Sequence, residues 1–171
     1  LVYGVLENKL YLSYLINQVA NRKIEKLKRP VRQILLLASY ELFFLSTADH
    51  AAVNEYVNLC KKYDFHAKGF VNAVIRNLLR QKDEITKLDN LSPREQISVR
   101  YSHPHWMLAL MSSYFDENTA YEIAKKNNLP PPLSLFVNPS KISREDAVVS
   151  LRDQGIINPR LSDINNHAIL C

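Results

Sequence analysis

A chain of 171 residues can bury one good core, or one core and part of a second. Its three glycines argue against glycine-rich phosphate loops and against an all-β design full of tight turns, and its two cysteines make no disulfide framework. The net charge of +5 is modest, but residues 21–32 alone carry six cations against Glu25 and match it.

Residues 1–20 read as a helix with Val5, Leu6, Leu10, Leu12, Tyr14, Leu15 and Val19 at core spacing. No signal-peptide pattern opens the chain, so a cytoplasmic location is the default expectation. The first residues are already apolar and periodic, without Met or a cap, and the chain is expected to be cut at its start.

The basic run 21–32 holds Arg22, Lys23, Lys26, Lys28, Arg29 and Arg32. Such a concentration beside a rigid helical core suits a polyphosphate, because each neutralised phosphate releases condensed counterions. The alternative is a solvated linker helix rich in lysine. Pro30 then fits the first turn of the next helix, where its missing N–H costs nothing. Eleven of the fifteen residues in 31–45 are apolar or aromatic and lie around the whole circumference, so this helix is buried on most sides. Arg32, Gln33, Ser39 and Glu41 interrupt it, and it is too short to cross a bilayer. No membrane contact is expected.

Residues 46–49 form a capping cluster in which Thr47 or Asp49 would accept from the first free amides of a helix over 50–63. Val53, Tyr56, Val57 and Cys60 face inward there, Cys60 as a small buried thiol. His50 has no acid or nucleophile at a useful spacing, which leaves it a packing role in the first turn. The helix over 67–83 has one apolar stripe of Ala67, Val71, Val74 and Leu78, widened by Phe70, Ile75 and Leu79. Lys68, Asn72, Arg76 and Arg80 recur every four residues on another side. That is a basic face at phosphate-compatible spacing, or else cations that only solvate the helix and pair with carboxylates.

The pattern weakens over 85–91, and Ser92-Pro93 restarts it as N-cap and first helical residue. A boundary is placed here, giving a helical domain over 1–90 and a second region over 91–171. Short helices follow at 93–101, 104–115 and 117–127, the last capped by Asp116. Trp106 is a core anchor or a base-stacking platform, and Leu108, Leu110 and Met111 after it favour the core. His103 and His105 alternate around Pro104 without cysteine or carboxylate partners, so no metal site is expected. Pro130-Pro131-Pro132 is extended, 133–137 is a strand candidate, 143–154 a helix capped by Ser143 and stopped by Gly155, and 167–170 a final apolar patch. The fold expected is mainly α, a helical bundle followed by a small, incomplete α/β segment. Nothing in it supports catalysis: neither cysteine stands in a motif that lowers its pKa.

LVYGVLENKLYLSYLI, RQILLLASYELFFL, DHAAVNEYVNLCKKY and KGFVNAVIRNLLR resemble, in order, the NusB-like helical domain. More narrowly they resemble the version at the front of bacterial 16S ribosomal RNA cytosine-C5 methyltransferases of the Sun/Fmu type. YSHPHWMLALMSSYF and NNLPPPLSLFVNPSKISREDAVVSLRDQGI are similar to the segments that follow in that family. The resemblance rests on Asn54 and Glu55, Asn72 and Arg76, Ser102, Pro104 and Trp106, and Val137 and Asn138. It departs at Phe136, where the family commonly has arginine.

The resemblance implies an RNA-binding helical domain, S-adenosylmethionine as methyl donor of the parent enzyme, and cysteine nucleophilic catalysis in a Rossmann-like domain beyond residue 171. Neither Cys60 nor Cys171 inherits that role. The fragment alone is expected to hold no cofactor, no catalytic residue and no activity. The resemblance further implies that the family's opening helices are missing, so a dimer or another contact is expected over the bared apolar face. RNA contacts are expected at Lys26, Lys28, Arg29, Arg32, Lys68, Asn72, Arg76 and Arg80, with 16S ribosomal RNA as partner. Two other readings are a free NusB-type antitermination factor, which should end soon after the helix at 67–83, and a protein-interaction module that binds no RNA.

Overall fold

The computed structural model describes residues 1–45 and 49–171, without the side chains of Asp49 and His50. The capping cluster at 46–49 and the packing of His50 lie outside the described residues. Two compact units emerge, Leu1–Asn128 and Leu129–Cys171.

The first unit begins with α1 (Val2–Glu7) and α2 (Lys9–Val19), where the sequence suggested one helix. Asn8 breaks it. Its side-chain Nδ2 donates to the Gly4 carbonyl at 2.9 Å, the local side-chain competition that makes asparagine a poor helix-interior residue. The basic run follows not as a linker helix but as a short 3₁₀ turn, Ile24–Lys26. Ile24 is 1% exposed and its N–H donates to Asn17 Oδ1 at 2.8 Å, so an apolar anchor fixes the cations on either side of it.

Helix α3 (Arg29–Phe44) carries Pro30 in its first turn and buries Val31, Ile34, Leu35, Leu36, Ala38, Ser39 and Leu42. It packs against α1, α2, α4 (Asp49–Tyr63) and α5 (Lys68–Arg80). Its polar interruptions are satisfied locally: Ser39 Oγ donates to the Leu35 carbonyl at 2.7 Å, and Glu41 Oε2 accepts from Tyr56 Oη at 2.6 Å. Burying a hydroxyl or carboxylate without such partners would cost far more than the bonds gain. Val53, Tyr56 and Cys60 of α4 and Val71, Val74, Ile75 and Leu78 of α5 complete the core.

Gln81 ends α5, and one turn, α6 (Lys82–Ile85), follows. Leu88 then adopts φ 60°, unusual for a bulky residue. Its side chain is 1% exposed, so apolar burial holds the strained backbone. Helix α7 (Pro93–Arg100) opens with the Ser92 N–H and Oγ both donating to Glu95 Oε2, at 2.9 and 2.6 Å. The unit also includes α8 (His105–Tyr114) and α9 (Glu117–Asn127). Asp116 caps α9 by accepting from the Thr119 N–H at 3.0 Å.

Ser102, at φ 54°, accepts from the Tyr11 N–H at 3.2 Å. A residue 91 positions away thus satisfies one of the orphan amides that the break at Asn8 creates at the start of α2. His103 is buried. Its Nδ1 lies 2.7 Å from the Tyr101 carbonyl and its Nε2 3.2 Å from Asn127 Nδ2. Trp106, by contrast, is 65% exposed, which overturns the core reading of it. In α8 only Leu108 is buried; an all-round apolar helix offers no periodicity from which to read its inner face.

The second unit is a three-stranded antiparallel sheet in the order β1-β3-β2, with β1 at Ser134–Phe136, β2 at Arg160–Leu161 and β3 at Ala168–Leu170. Helix α10 (Arg144–Asp153) covers it, capped by Ser143 Oγ accepting from the Asp146 N–H at 3.0 Å and ended by Gly155 at φ 86°. Val137, Val148 and Ile169 form its core. Strand β2 was absent from the sequence reading, as two residues carry no period. Among the described residues, no helix is long and apolar enough to cross a membrane.

Candidate nucleic-acid interface

The charge pattern and the core fix two cationic surfaces in the first unit. One is a cleft of about 400 Å³ between the basic run and the approach to α5, lined by Asn21, Arg22, Lys26, Lys28, Asp64 and His66 over a floor of Leu27, Val31, Ala67 and Phe70. Buried Ile24 anchors the basic run beside it. Two of the expected residues, Lys26 and Lys28, meet here. Arg29 and Arg32 follow in the first turn of α3, Arg29 exposed and Arg32 half-buried.

Lys28 Nζ lies 3.0 Å from Asp64 Oδ2, and the two side chains differ in exposure, 77% for Lys28 against 11% for Asp64. The lysine reaches from solvent onto a sheltered carboxylate. Its hydrogen bond and charge, with help from the Ala67 N–H, hold the Asp64 carboxyl below the usual carboxylate range. Sequence reasoning missed Asp64 and His66, since an acid and a histidine between two helical patterns carry no signal of what they face. Arg22 was counted in the run but not among the contacts.

The second surface is the outer face of α5. Lys68 Nζ sits 3.7 Å from the centroid of the Phe65 ring, a cation–π contact that steers the ammonium. Asn72 Oδ1 accepts from Arg76 Nε at 3.1 Å, and Asn77 Oδ1 accepts from Arg80 Nη2 at 2.8 Å. Each asparagine holds its arginine by one nitrogen and leaves the rest of the fork outward. Lys28 is the one expected contact that carries a salt bridge among the described residues. Of the remaining cations, Lys26, Arg29, Arg76 and Arg80 are exposed, and Arg32 and Lys68 are half-buried.

No group of three or more histidine, cysteine or acidic side chains is placed to hold a metal among the described residues. Cys60 is buried, its Sγ donating to the Asp64 carbonyl at 3.4 Å, and burial pushes its thiol pKa up, away from nucleophilic use. Phe136, where the family resemblance called for arginine, is exposed on β1.

Together these features define a helical domain with a cationic surface, followed by a small α/β domain. Residues 1–80 match the NusB family, and residues 103–170 match the Methyltr_RsmF/B-like, ferredoxin-like domain. The chain therefore joins a NusB-type helical domain to an RsmF/B-type ferredoxin-like one. It is 30% identical over 159 residues to a protein of Bacillus subtilis (strain 168) named probable ribosomal RNA small subunit methyltransferase B. It is 31% identical over 159 residues to ribosomal RNA small subunit methyltransferase B of Escherichia coli O1:K1 / APEC. Each alignment covers 91% of this chain and 35% of the relative, so the chain spans about a third of the length of these relatives.

Proposed function

We propose that this chain is the RNA-docking portion of an S-adenosylmethionine-dependent 16S ribosomal RNA cytosine-C5 methyltransferase. The observation that carries the reading is the cationic cleft of Arg22, Lys26 and Lys28, built on a NusB-type domain in a chain whose relatives bear ribosomal RNA methyltransferase names. Phosphates are held by the cleft, by Arg29 and Arg32, and by Lys68, Asn72, Arg76 and Arg80 on α5. Such contacts orient an RNA without reading its sequence. In this reading residues 1–90 dock the RNA, residues 91–171 begin the methyltransferase region, and the protein works in the cytoplasm.

The residues present do not fit the methyl donor. Gly4 is packed against Tyr40, while Gly69 and Gly155 stand alone with open space around them, so they form no glycine cradle. Donor binding and methyl transfer belong to the length that the relatives have beyond this match, and the chain alone is inactive. A free NusB-type antitermination factor is the weaker reading, because it leaves the match over 103–170 without a role.

The test is binding to 16S ribosomal RNA fragments across a salt series. Affinity that falls steeply with salt is expected; a chain that ignores RNA at low salt is instead a protein-interaction module. Exposed Val2, Tyr3 and Leu6 on α1 and Phe44 and Leu45 at the end of α3 support a dimer or another covering contact, and a monomer by light scattering in the same samples removes that part of the reading.

A further inference from the structure

The cleft contains one carboxylate among its cations, and its position is specific. Asp64 stands where α4 ends and the 3₁₀ turn Phe65–Ala67 begins, a place fixed by backbone: its carbonyl accepts from the Ala67 N–H at 3.1 Å and its own N–H donates to the Cys60 carbonyl at 2.7 Å. Its backbone is thereby held beside Lys28, and its side chain is only 11% exposed. Lys28 is the opposite, a long side chain that is 77% exposed, placed by the N-terminal end of α3 and free to leave.

We propose that Asp64 is an internal counterion of the cleft, occupying Lys28 in the free protein and competing with an RNA phosphate for it. The inference rests on the RNA-docking reading above. An incoming phosphate meets Arg22 and Lys26, which carry no salt bridge among the described residues, while Lys28 must either exchange Asp64 for the phosphate or share its three donors between them. Exchange gives up the 3.0 Å Lys28–Asp64 contact, a cost that the new phosphate contact must first offset. A lone inorganic anion gains little from the cleft. A polyphosphate chain that also reaches Arg29, Arg32 or the α5 face gains enough elsewhere to displace the counterion. Asp64 thereby lowers affinity and favours extended phosphate backbones over single phosphates.

The pair has an exposed partner, so the competition is modest and reversible. The measurement is fluorescence anisotropy of a short fluorescein-labelled single-stranded oligouridylate, titrated with wild type, Asp64→Asn, Lys28→Met and the double variant between about 50 and 200 mM salt. Asp64→Asn is expected to bind about 2- to 5-fold tighter at low salt, with the gain shrinking as salt rises. In the Lys28→Met background the same change is expected to gain less than about 1.5-fold, because the coupling runs through Lys28. Asp64→Ser, which also removes the charge and keeps a short polar side chain at the turn, provides a second neutral variant, and circular dichroism reports that both are folded. Neutral variants that bind no tighter than wild type while Lys28→Met binds more weakly overturn the counterion and leave RNA docking standing. Binding that is absent, or indifferent to Lys28, removes the docking reading at this cleft and the inference with it.

Discussion

Gly4 is the residue on which α1 depends. A Cβ built there would lie about 2.1 Å from Cζ of Tyr40, and Tyr40 is itself stacked on Phe44 with ring centroids 4.9 Å apart. Glycine here permits close approach of two helices rather than an unusual backbone angle. Gly4→Ala would gain helix propensity but force the tyrosine out of its stack, and overpacking of this kind costs about 1–3 kcal/mol. Thermal unfolding of Gly4→Ala is expected to show a net loss that Tyr40→Leu partly restores. A variant as stable as wild type would mean that α1 does not pack on α3 through this contact. Cys60 and His103 show the same dependence on neighbours: each is buried with a hydrogen-bond partner, the Asp64 carbonyl for Cys60 and the Tyr101 carbonyl for His103.

At the scale of elements, the important junction joins the basic run to the approach of α5 through Lys28 and Asp64. Asp64 has a depressed pKa in the folded chain, so its contribution to stability is present above the unfolded carboxylate value of about 3.9. It is lost as pH falls through the lower folded value. The difference in unfolding free energy between wild type and Asp64→Asn is therefore expected to be constant above about pH 5 and to close under stronger acid. A difference that persists undiminished in strong acid would contradict the pairing. The helix starts that the sequence revealed were those written in local chemistry: Ser92 with Pro93, Asp116, and Ser143 each sit within three residues of what they cap. The junction was not legible, because Lys28 and Asp64 are distant in sequence and neither position is periodic. The Ser102 contact to α2 was hidden for the same reason. Trp106 was misread on other grounds: apolarity all round α8 marks it as a helix to be covered without saying on which side.

At the scale of the whole molecule, the order of segments carried more than any one motif. The NusB-like strings and the proline–tryptophan and Val-Asn strings pointed to the two families that residues 1–80 and 103–170 match. The cationic surface was legible as charge and period, down to Lys26, Lys28 and the α5 repeat. Its shape was not, since the cleft exists only because Ile24 anchors the basic run beside the turn that leads into α5. The most direct test is the salt dependence of RNA binding by wild type and by a variant neutralised at Lys28, Arg29, Arg32 and Arg76. Removing four phosphate contacts is expected to weaken binding at low salt and to flatten the log–log slope by about two to three units on single-stranded RNA. A quadruple variant that binds 16S ribosomal RNA fragments with wild-type affinity and slope would contradict the placement of the RNA surface on this face.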